Sequence, residues 1–318
     1  MDWPDVAQLI GMALAEDGWD RDVTSEATVP AAATGEALVV AKEPGVTAGL
    51  SVAEAVFLRV DPDLEVEIRC RDGQPLAAGD PLLAVSGRLR SILAAERTAL
   101  NFLSRLCGIA TLTRQFVEAV EGTGCQVTDT RKTTPGWRAL EKCATAVGGA
   151  VNHRSGLHDM ILIKENHIRA AGGISAALAG GAAAARAAEV EGTALEVEIE
   201  VTDLEELAEA LQGGAGRILL DNMSLEMLRE AAAMARAGSP PHPLLEASGG
   251  VRLDTVRSIA ETGMDLISVG SITHSATVLD LSLQVQSVDG RDDDGAVDGG
   301  IDSGTDGGID GGTIRGSD

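Results

Sequence analysis

The feature that most constrains the fold is an alternation of apolar strand-like runs with helix-like runs from about residue 124 to residue 270. The last four strand-like runs end at residues 198, 221, 248 and 270, so successive ends lie 23, 27 and 22 residues apart. This spacing is typical of one strand–helix unit in a parallel α/β barrel. A doubly wound sheet stays open as an alternative, although no Gly-x-Gly-x-x-Gly turn follows any of these runs.

The bounds of these elements follow from hydrophobic periodicity. Strands are predicted at Cys125–Asp129, Met160–Lys164, Leu195–Val201, Arg217–Asp221, Leu244–Ser248 and Leu266–Gly270. Helices are predicted at Ile174–Val190, Leu204–Gln212, Leu225–Ala237 and Leu253–Thr262.

The first hundred residues indicate a different, mixed α/β unit. An amphipathic helix is predicted at Pro4–Glu16, and short strands follow at Gly35–Ala41, Leu64–Cys70 and Pro81–Ser86, separated by glycine-rich turns. A long helix over Leu89–Glu121 then leads into the alternating part.

The last thirty residues have another composition altogether. Residues 289–318 contain ten glycines, nine aspartates and two arginines. Such a segment cannot bury enough apolar surface to offset the entropy of ordering it, so we predict a disordered tail over 288–318.

Charge and composition exclude several function classes. The formal net charge is −24, which argues against a nucleic-acid partner or an anionic membrane surface. No run has the length of a membrane span, and the N-terminal segment lacks the basic flank of a secretory signal, so we expect a cytoplasmic protein. The four cysteines have no metal-ligand spacing and are expected to be reduced thiols.

The scarcity of lysine points to one part of the chain. There are four lysines against 21 arginines, a bias that suits a salt-adapted, acidic surface. Three of these lysines and three of the five histidines lie between residues 132 and 167. Chemistry is therefore expected in that window.

Polar or small residues end each predicted barrel strand, where the active site of an α/β barrel lies. Leu195–Val201 alternates, so that its three glutamates share the face expected to point into the lumen, where a buried carboxylate needs a cation, a metal or a ligand hydroxyl. The strand ends read Asp129-Thr130-Arg131-Lys132, Lys164, Glu198, Asp221, Ser248-Gly249-Gly250 and Gly270-Ser271.

Two anion sites are predicted from these ends. The cationic or protonatable groups at Arg131-Lys132, His153-Arg154 and Lys164 suit a substrate with several negative charges. Glycines at the last two strand ends, Ser248-Gly249-Gly250 before a helix and Gly270-Ser271, are typical of a barrel phosphate site. Glu198 and Asp221 then remain for Mg²⁺ or sugar hydroxyls.

Several blocks resemble the quinolinate phosphoribosyltransferase family, over roughly residues 5–287. The resemblance implies an incomplete parallel α/β barrel over 113–274 and an N-terminal α/β sandwich over 1–112 that is completed by about 275–287. The blocks are Glu96-Arg-Thr-Ala-Leu-Asn101, Asp129-Thr-Arg-Lys-Thr-Thr-Pro-Gly136, Gly148-Gly149 with Asn152-His-Arg154, Leu162-Ile-Lys-Glu-Asn-His167, Leu219-Leu-Asp-Asn222 and Ala247-Ser-Gly-Gly250.

The implied reaction joins quinolinate to phosphoribosyl pyrophosphate, with Mg²⁺, and gives nicotinate mononucleotide, pyrophosphate and CO₂ in NAD biosynthesis. By the resemblance, Arg131, His153 and Arg154 hold the two carboxylates, and Thr130 also contacts substrate. Arg97 would reach them from a neighbouring subunit of a homodimer or a hexamer of dimers.

The remaining implied roles concern the phosphoribosyl donor. Lys132 and Lys164 would serve the pyrophosphate and the reacting centre. Glu198 and Asp221 would bind the ribose hydroxyls, directly or through Mg²⁺, and His274 lies near the phosphate loop. The residues implied to cradle the 5′-phosphate are Ser248, Gly249, Gly250, Gly270 and Ser271.

Two other functions stay open at this point. One is a sister enzyme that uses a pyridine or pyrimidine mono-acid such as nicotinate, although the arginines 97, 131 and 154 favour a diacid. The other is a catalytically silent barrel that binds phosphosugars, which the retention of Glu198, Asp221 and both lysines disfavours.

The charge excess predicts a dependence of stability on salt. Residues 1–288 alone carry −17, so screening should relieve self-repulsion in the folded state. We expect the Tm to rise by about 5 °C or more between low and molar KCl, equivalent to roughly 2 kcal/mol. Melts in sucrose of equal osmolality control for solute exclusion, and equal midpoints at low and molar KCl would contradict the prediction.

Overall fold

The structure, a computed structural model, describes residues 4–190 and 192–289, with side chains described from residue 6. The prediction of a disordered tail concerns residues that, apart from Val288 and Asp289, lie outside this part of the chain. It stays a prediction.

Helices and strands alternate irregularly up to residue 119 and regularly after it. The helices are α1 Pro4–Asp17, α2 Val23–Thr28, α3 Leu50–Val60, α4 Leu89–Ala119, α5 Arg138–Gly148, α6 Glu165–Ala171, α7 Ile174–Val190, α8 Leu204–Gln212, α9 Leu225–Arg236, α10 Val256–Ala260 and α11 Ser271–His274. The strands are β1 Thr34–Ala41, β2 Gly45–Val46, β3 Glu65–Ile68, β4 Pro75–Leu76, β5 Pro81–Arg88, β6 Gln126–Thr128, β7 Ile161–Ile163, β8 Val197–Val201, β9 Arg217–Asp221, β10 Leu244–Ser248, β11 Leu266–Ser268 and β12 Leu281–Val288.

Six parallel strands form the barrel sheet, in the order β6-β11-β10-β9-β8-β7. The sheet has two edges, β6 and β7, so the barrel is incomplete, as predicted. A single parallel bridge from Thr128 to Val151 extends it beyond β6. Since all six strands run the same way, their carboxyl ends meet at one rim.

The N-terminal sheet is antiparallel and takes its last strand from the other end of the chain. Its order is β12-β1-β5-β3, with Gly35 opposite Val288 and Ala41 opposite Leu281. Helices α3 and α4 pack with this sheet around a core that includes the buried rings of Phe57 and Phe102. The predicted mixed α/β sandwich is therefore present.

Helix α4 connects the two cores. Its first twenty or so residues pack into the N-terminal core, whereas Phe116 belongs to the barrel core and Leu112 contacts both. Gly108 allows a close crossing, because a β-carbon there would lie 1.9 Å from the carbonyl oxygen of Thr277. The predicted division at residue 112 falls inside this helix and stays a prediction.

Some predicted bounds differ from the structure. Leu253–Thr262 is helical only from Val256 to Ala260, and Met160–Lys164 is a strand only from Ile161 to Ile163. Sequence periodicity did not predict α3 or α5.

No single helix within residues 4–190 and 192–289 has the length and apolar composition needed to cross a membrane. The pair α6 and α7, bent by 96°, meets those criteria only when its two members are taken together.

Candidate active site

A pocket of about 600 Å³ opens at the rim where the barrel strands end. Residues that follow β6, β7, β9 and β10 supply most of its wall, together with the segment around His153. The lining residues are Thr130, Arg131, Lys132, His153, Arg154, Leu162, Lys164, Glu200, Leu219, Asp221, Asn222, Ser248, Gly249, Gly250 and Ser268.

One part of the pocket wall carries cations that form no salt bridge in the described part of the chain. Arg131, Lys132 and Arg154 form no salt bridge with any residue that the structure describes. Nε of Arg131 is buried without a hydrogen-bond partner in the same part of the chain. Burial lowers the pKa of Arg154, and the nearby charge of Arg131 lowers it further. These two guanidinium groups therefore repel each other and are suited to share an anion.

The opposite side carries two carboxylates. Glu200 lies near the end of β8 and forms an ion pair with Lys164, whose side chain is about half exposed. Asp221 ends β9 and accepts a hydrogen bond of 2.7 Å from the amide of Asn222. These groups can bind hydroxyls or a hard cation such as Mg²⁺ through oxygen.

A buried charged cluster lies beneath the pocket floor. Arg217 donates from Nε to Glu198 over 3.1 Å and from its terminal nitrogens to Glu246 over 2.5 Å and Glu196 over 2.9 Å. Nε2 of His153 lies 3.0 Å from Glu198 and 3.5 Å from Glu246. Nδ1 of His153 accepts the backbone N–H of Arg154 at 2.8 Å, so the Nε2 side of the ring faces the two acids.

The pKa values of the two buried acids shift in opposite directions. Burial and the charge of Glu198 raise the pKa of Glu246. Glu198 itself has a lowered pKa, because the His153 contact and the charge of Arg217 outweigh the effect of burial. Arg217 is therefore the cation that allows two carboxylates to lie side by side in the barrel.

Backbone conformation at the end of β10 requires glycine. Gly249 has φ +103°, and a β-carbon on it would lie 2.1 Å from Oδ1 of Asn222. Asn222 itself has φ +55° and donates its N–H to the carbonyl of Ser248 over 2.8 Å. The loops after β9 and β10 are thus in direct contact, and they leave the backbone accessible to an anion.

The helix predicted to begin at Leu253 begins only at Val256, so five residues separate it from Gly250. Gly270, in contrast, immediately precedes α11, and a β-carbon on it would lie 3.1 Å from Cδ of Lys132 and 3.2 Å from Nε2 of His274. A side chain at 270 would therefore require Lys132 or His274 to shift by a few tenths of an ångström.

Family models match most of the chain. The model of the quinolinate phosphoribosyl transferase N-terminal domain matches residues 22–107, and that of the C-terminal domain matches residues 109–284. The chain belongs to the quinolinate phosphoribosyl transferase family. The resemblance noted from the sequence motifs is confirmed.

Relatives in this family align with this chain over most of their length. A nicotinate-nucleotide pyrophosphorylase [carboxylating] of Mycobacterium leprae (strain TN) is 44% identical, with 87% of this chain and 95% of the relative aligned. A chloroplastic protein of the same name from Oryza sativa subsp. japonica is 41% identical, over 89% and 78% of the two chains. The solved nicotinate-nucleotide pyrophosphorylase of Francisella tularensis superposes with a TM-score of 0.80 at 36% identity, over 90% and 98%.

Ten of the fourteen predicted site residues line the pocket. Gly270 lies against the side chain of Lys132, Ser271 begins α11 outside the lining, and Arg97 is exposed on α4. The placement of Glu198 at the rim is wrong, because the strand runs to Val201, as its predicted range has it, and Glu198 lies buried in the charged cluster. Glu200, two residues later on the same face, is the glutamate that lines the pocket. Choosing it from the sequence would have required knowing which residue of β8 lies at the rim.

The buried cluster predicts how removal of Arg217 affects stability. Arg217→Gln leaves two carboxylates without their cation and is expected to lower the free energy of unfolding at pH 8 by about 3–5 kcal/mol. Because Arg217 lowers the pKa of both Glu198 and Glu246, its removal raises both folded-state pKa values above those of the wild type. A carboxyl group with a raised folded-state pKa loses its stabilising contribution as pH increases through that value, so the deficit should shrink between pH 8 and pH 5.

Urea unfolding at both pH values measures this difference. Arg236→Gln is the matched control, since Arg236 pairs with Asp265 at the surface over 2.7 Å and should change stability by less than about 1 kcal/mol at either pH. A deficit for Arg217→Gln that stays the same at pH 5 and pH 8 would contradict the electrostatic account.

Proposed function

We propose that this chain transfers the phosphoribosyl group of phosphoribosyl pyrophosphate to quinolinate and releases pyrophosphate and CO₂, which gives nicotinate mononucleotide in NAD biosynthesis. Membership of the family supports this reaction. The observation that carries it is the pair Arg131 and Arg154, which lie close together and form no salt bridge with any described residue of a strongly acidic chain.

The arginine pair favours a diacid over a mono-acid. Each guanidinium presents a planar fork of donors that matches one carboxylate. Two adjacent carboxylates on a pyridine ring would satisfy Arg131 and Arg154 together and remove their mutual repulsion. Nicotinate would leave one of them unpaired, and this desolvated cation would be costly.

The carboxylates suit the chemistry at the ribose. As pyrophosphate leaves, positive charge develops at C1, and negative groups held nearby stabilise that transition state. Glu200 and Asp221 are the accessible acids of the pocket and can also bind the ribose hydroxyls. Lys132, which has no ion pair among the described residues, is available for the departing pyrophosphate, and the loop Ser248–Gly250 for the 5′-phosphate.

Magnesium fits the donor set of this site. The carboxylate oxygens of Asp221 and Glu200 are hard ligands of the kind that Mg²⁺ prefers, and Glu198, predicted as a ligand from the sequence, is bound to Arg217 instead. When bound, Mg²⁺ neutralises charge on the pyrophosphate.

Decarboxylation requires no protein base. Once the ring nitrogen carries the ribose, its positive charge accepts the electron pair left by CO₂. The role of the protein is then to hold the ring and the ribose in register, a task for Arg131, His153 and Arg154.

We further propose a cytoplasmic homodimer, or a hexamer of dimers, with a shared site. Arg97 is exposed on α4 and lies outside the pocket lining of its own chain. A two-fold mate can present this arginine to the diacid, where it would form a bidentate contact.

The reaction is tested directly with the purified protein, phosphoribosyl pyrophosphate, Mg²⁺ and carboxyl-labelled quinolinate. Release of CO₂ that depends on all three, with formation of nicotinate mononucleotide, is the expected result. Turnover of nicotinate without CO₂ would favour the sister enzyme, and no turnover of either acid would favour the silent barrel. Glu200→Gln should fold but turn over more slowly, and it controls for activity from a contaminating enzyme.

Complementation between variants tests the shared site. Arg97→Ala and Lys164→Ala should each be nearly inactive, because each removes one cation from every site. Unfolded together and reassembled, they form heterodimers with one intact site, which should restore about a quarter of wild-type activity when pairing is random. Absence of any recovery, or a monomer with full activity, would contradict the proposal.

A further inference from the structure

Lys142 is a buried lysine to which the proposed chemistry gives no role. It lies on α5, is 5% exposed and does not line the pocket. The other three lysines are exposed or partly exposed, and two of these, Lys132 and Lys164, reach the pocket. In a chain that uses arginine at 21 positions, a buried lysine calls for a physical reason.

The Lys142 ammonium group connects the segment at Asp129 with the segment at His153. Nζ donates to Oδ1 of Asp129 and, over 2.8 Å, to the carbonyl oxygen of His153. Asp129 is fully buried and accepts the backbone N–H of His153 over 2.8 Å and the hydroxyl of Thr145 over 3.0 Å. The pair therefore binds His153 through both its N–H and its carbonyl.

These contacts lie between the two arginines of the pocket. Arg131 is two residues after Asp129, and Arg154 directly follows His153. No other buried ion pair in the described part of the chain bonds to the backbone of His153. We propose that Lys142 is a positioning residue that, through Asp129, sets the separation of Arg131 and Arg154 and so the affinity for two adjacent carboxylates; this inference rests on the proposed function.

The shape of the ammonium group explains why arginine does not serve at this position. An ammonium is compact, and its donors can point at two oxygens on opposite sides. A guanidinium group is larger and planar, with donors fixed in a fork. In the space between Asp129 and the His153 carbonyl, it would have to push the two segments apart.

A buried ion pair can also contribute to stability alone. Asp61 offers a matched case, because it is 3% exposed and accepts two hydrogen bonds of 2.7 Å from Arg88, far from the pocket in sequence and in the N-terminal sheet region. Loss of this pair should cost stability without any change in substrate affinity. The comparison separates positioning from stability.

The experiment compares steady-state constants of the full-length enzyme for its two substrates. In Lys142→Arg, the KM for quinolinate should rise at least about tenfold, since misplacement of binding groups by about 1 Å has effects of this order or larger. The KM for phosphoribosyl pyrophosphate should rise clearly less than that for quinolinate, because the phosphate loop and Asp221 lie on other strands and only Lys132 lies on the displaced segment. Lys42→Arg at the surface and Asp61→Asn should leave both constants unchanged.

A second variant covers the case in which Lys142→Arg does not fold. Asp129→Asn combined with Lys142→Met removes both charges together, so no buried charge is left unpaired, and it should show the same selective rise. A folded variant of either kind with the wild-type KM for quinolinate would overturn the proposal, as would an equal rise in Asp61→Asn. Wild-type protein without activity on quinolinate would instead refute the proposed function and this inference together.

Discussion

The ion pairs of Arg217 are the interaction on which the pocket depends. Glu198 on β8 and Glu246 on β10 have no exposed surface, and two such acids close together repel each other strongly in a low-dielectric interior. Arg217, from the strand between them, bonds to both and makes the arrangement possible. On the pocket side the same two acids face His153, whose ring orientation in turn fixes the backbone N–H of Arg154.

Charges are therefore paired below the pocket floor and left unpaired above it. In the described barrel, the buried acids each have a cation or a hydroxyl as partner, and Ser268 also donates to Glu246. Arg131, Lys132 and Arg154, in contrast, form no salt bridge with a carboxylate of the described residues. The buried layer is therefore a rigid support, whereas the pocket wall is a surface that can bind an anion. The difference lies in which charges are paired and not in how many charges each layer contains.

Much of the architecture was predictable because apolar spacing records it directly. The bounds of Arg217–Asp221, Leu244–Ser248 and Ile174–Val190 were predicted as they occur. Helix α5 was missed because its buried face combines the apolar Leu140 and Ala144 with Glu141, Lys142 and Thr145, so that apolar residues alone do not mark that face. Strand β12 could be assigned to the N-terminal sheet only through the family resemblance, since its pairing with β1 spans nearly the whole chain.

The site was predicted well by residue type and less well by position. Alternation along Leu195–Val201 places three glutamates on one face but does not indicate which one reaches the rim. That depends on where β8 ends relative to its neighbours, a property of the sheet and not of the strand. The role of Lys142 was hidden for a similar reason, because its partners Asp129 and His153 are 13 and 11 residues away.

The unpaired cations lie within a chain of net charge −24, and this contrast affects how substrates arrive. An approaching polyanion first meets a repulsive field that extends for about a Debye length, roughly 10 Å at 0.1 M salt. Only inside that distance does the attraction of Arg131, Lys132 and Arg154 dominate. Association should therefore become faster as salt is added, the reverse of ordinary electrostatic steering, until screening also weakens the contacts within the pocket. A salt-rich solvent would then help the substrates to reach the pocket by screening the negative charge around it.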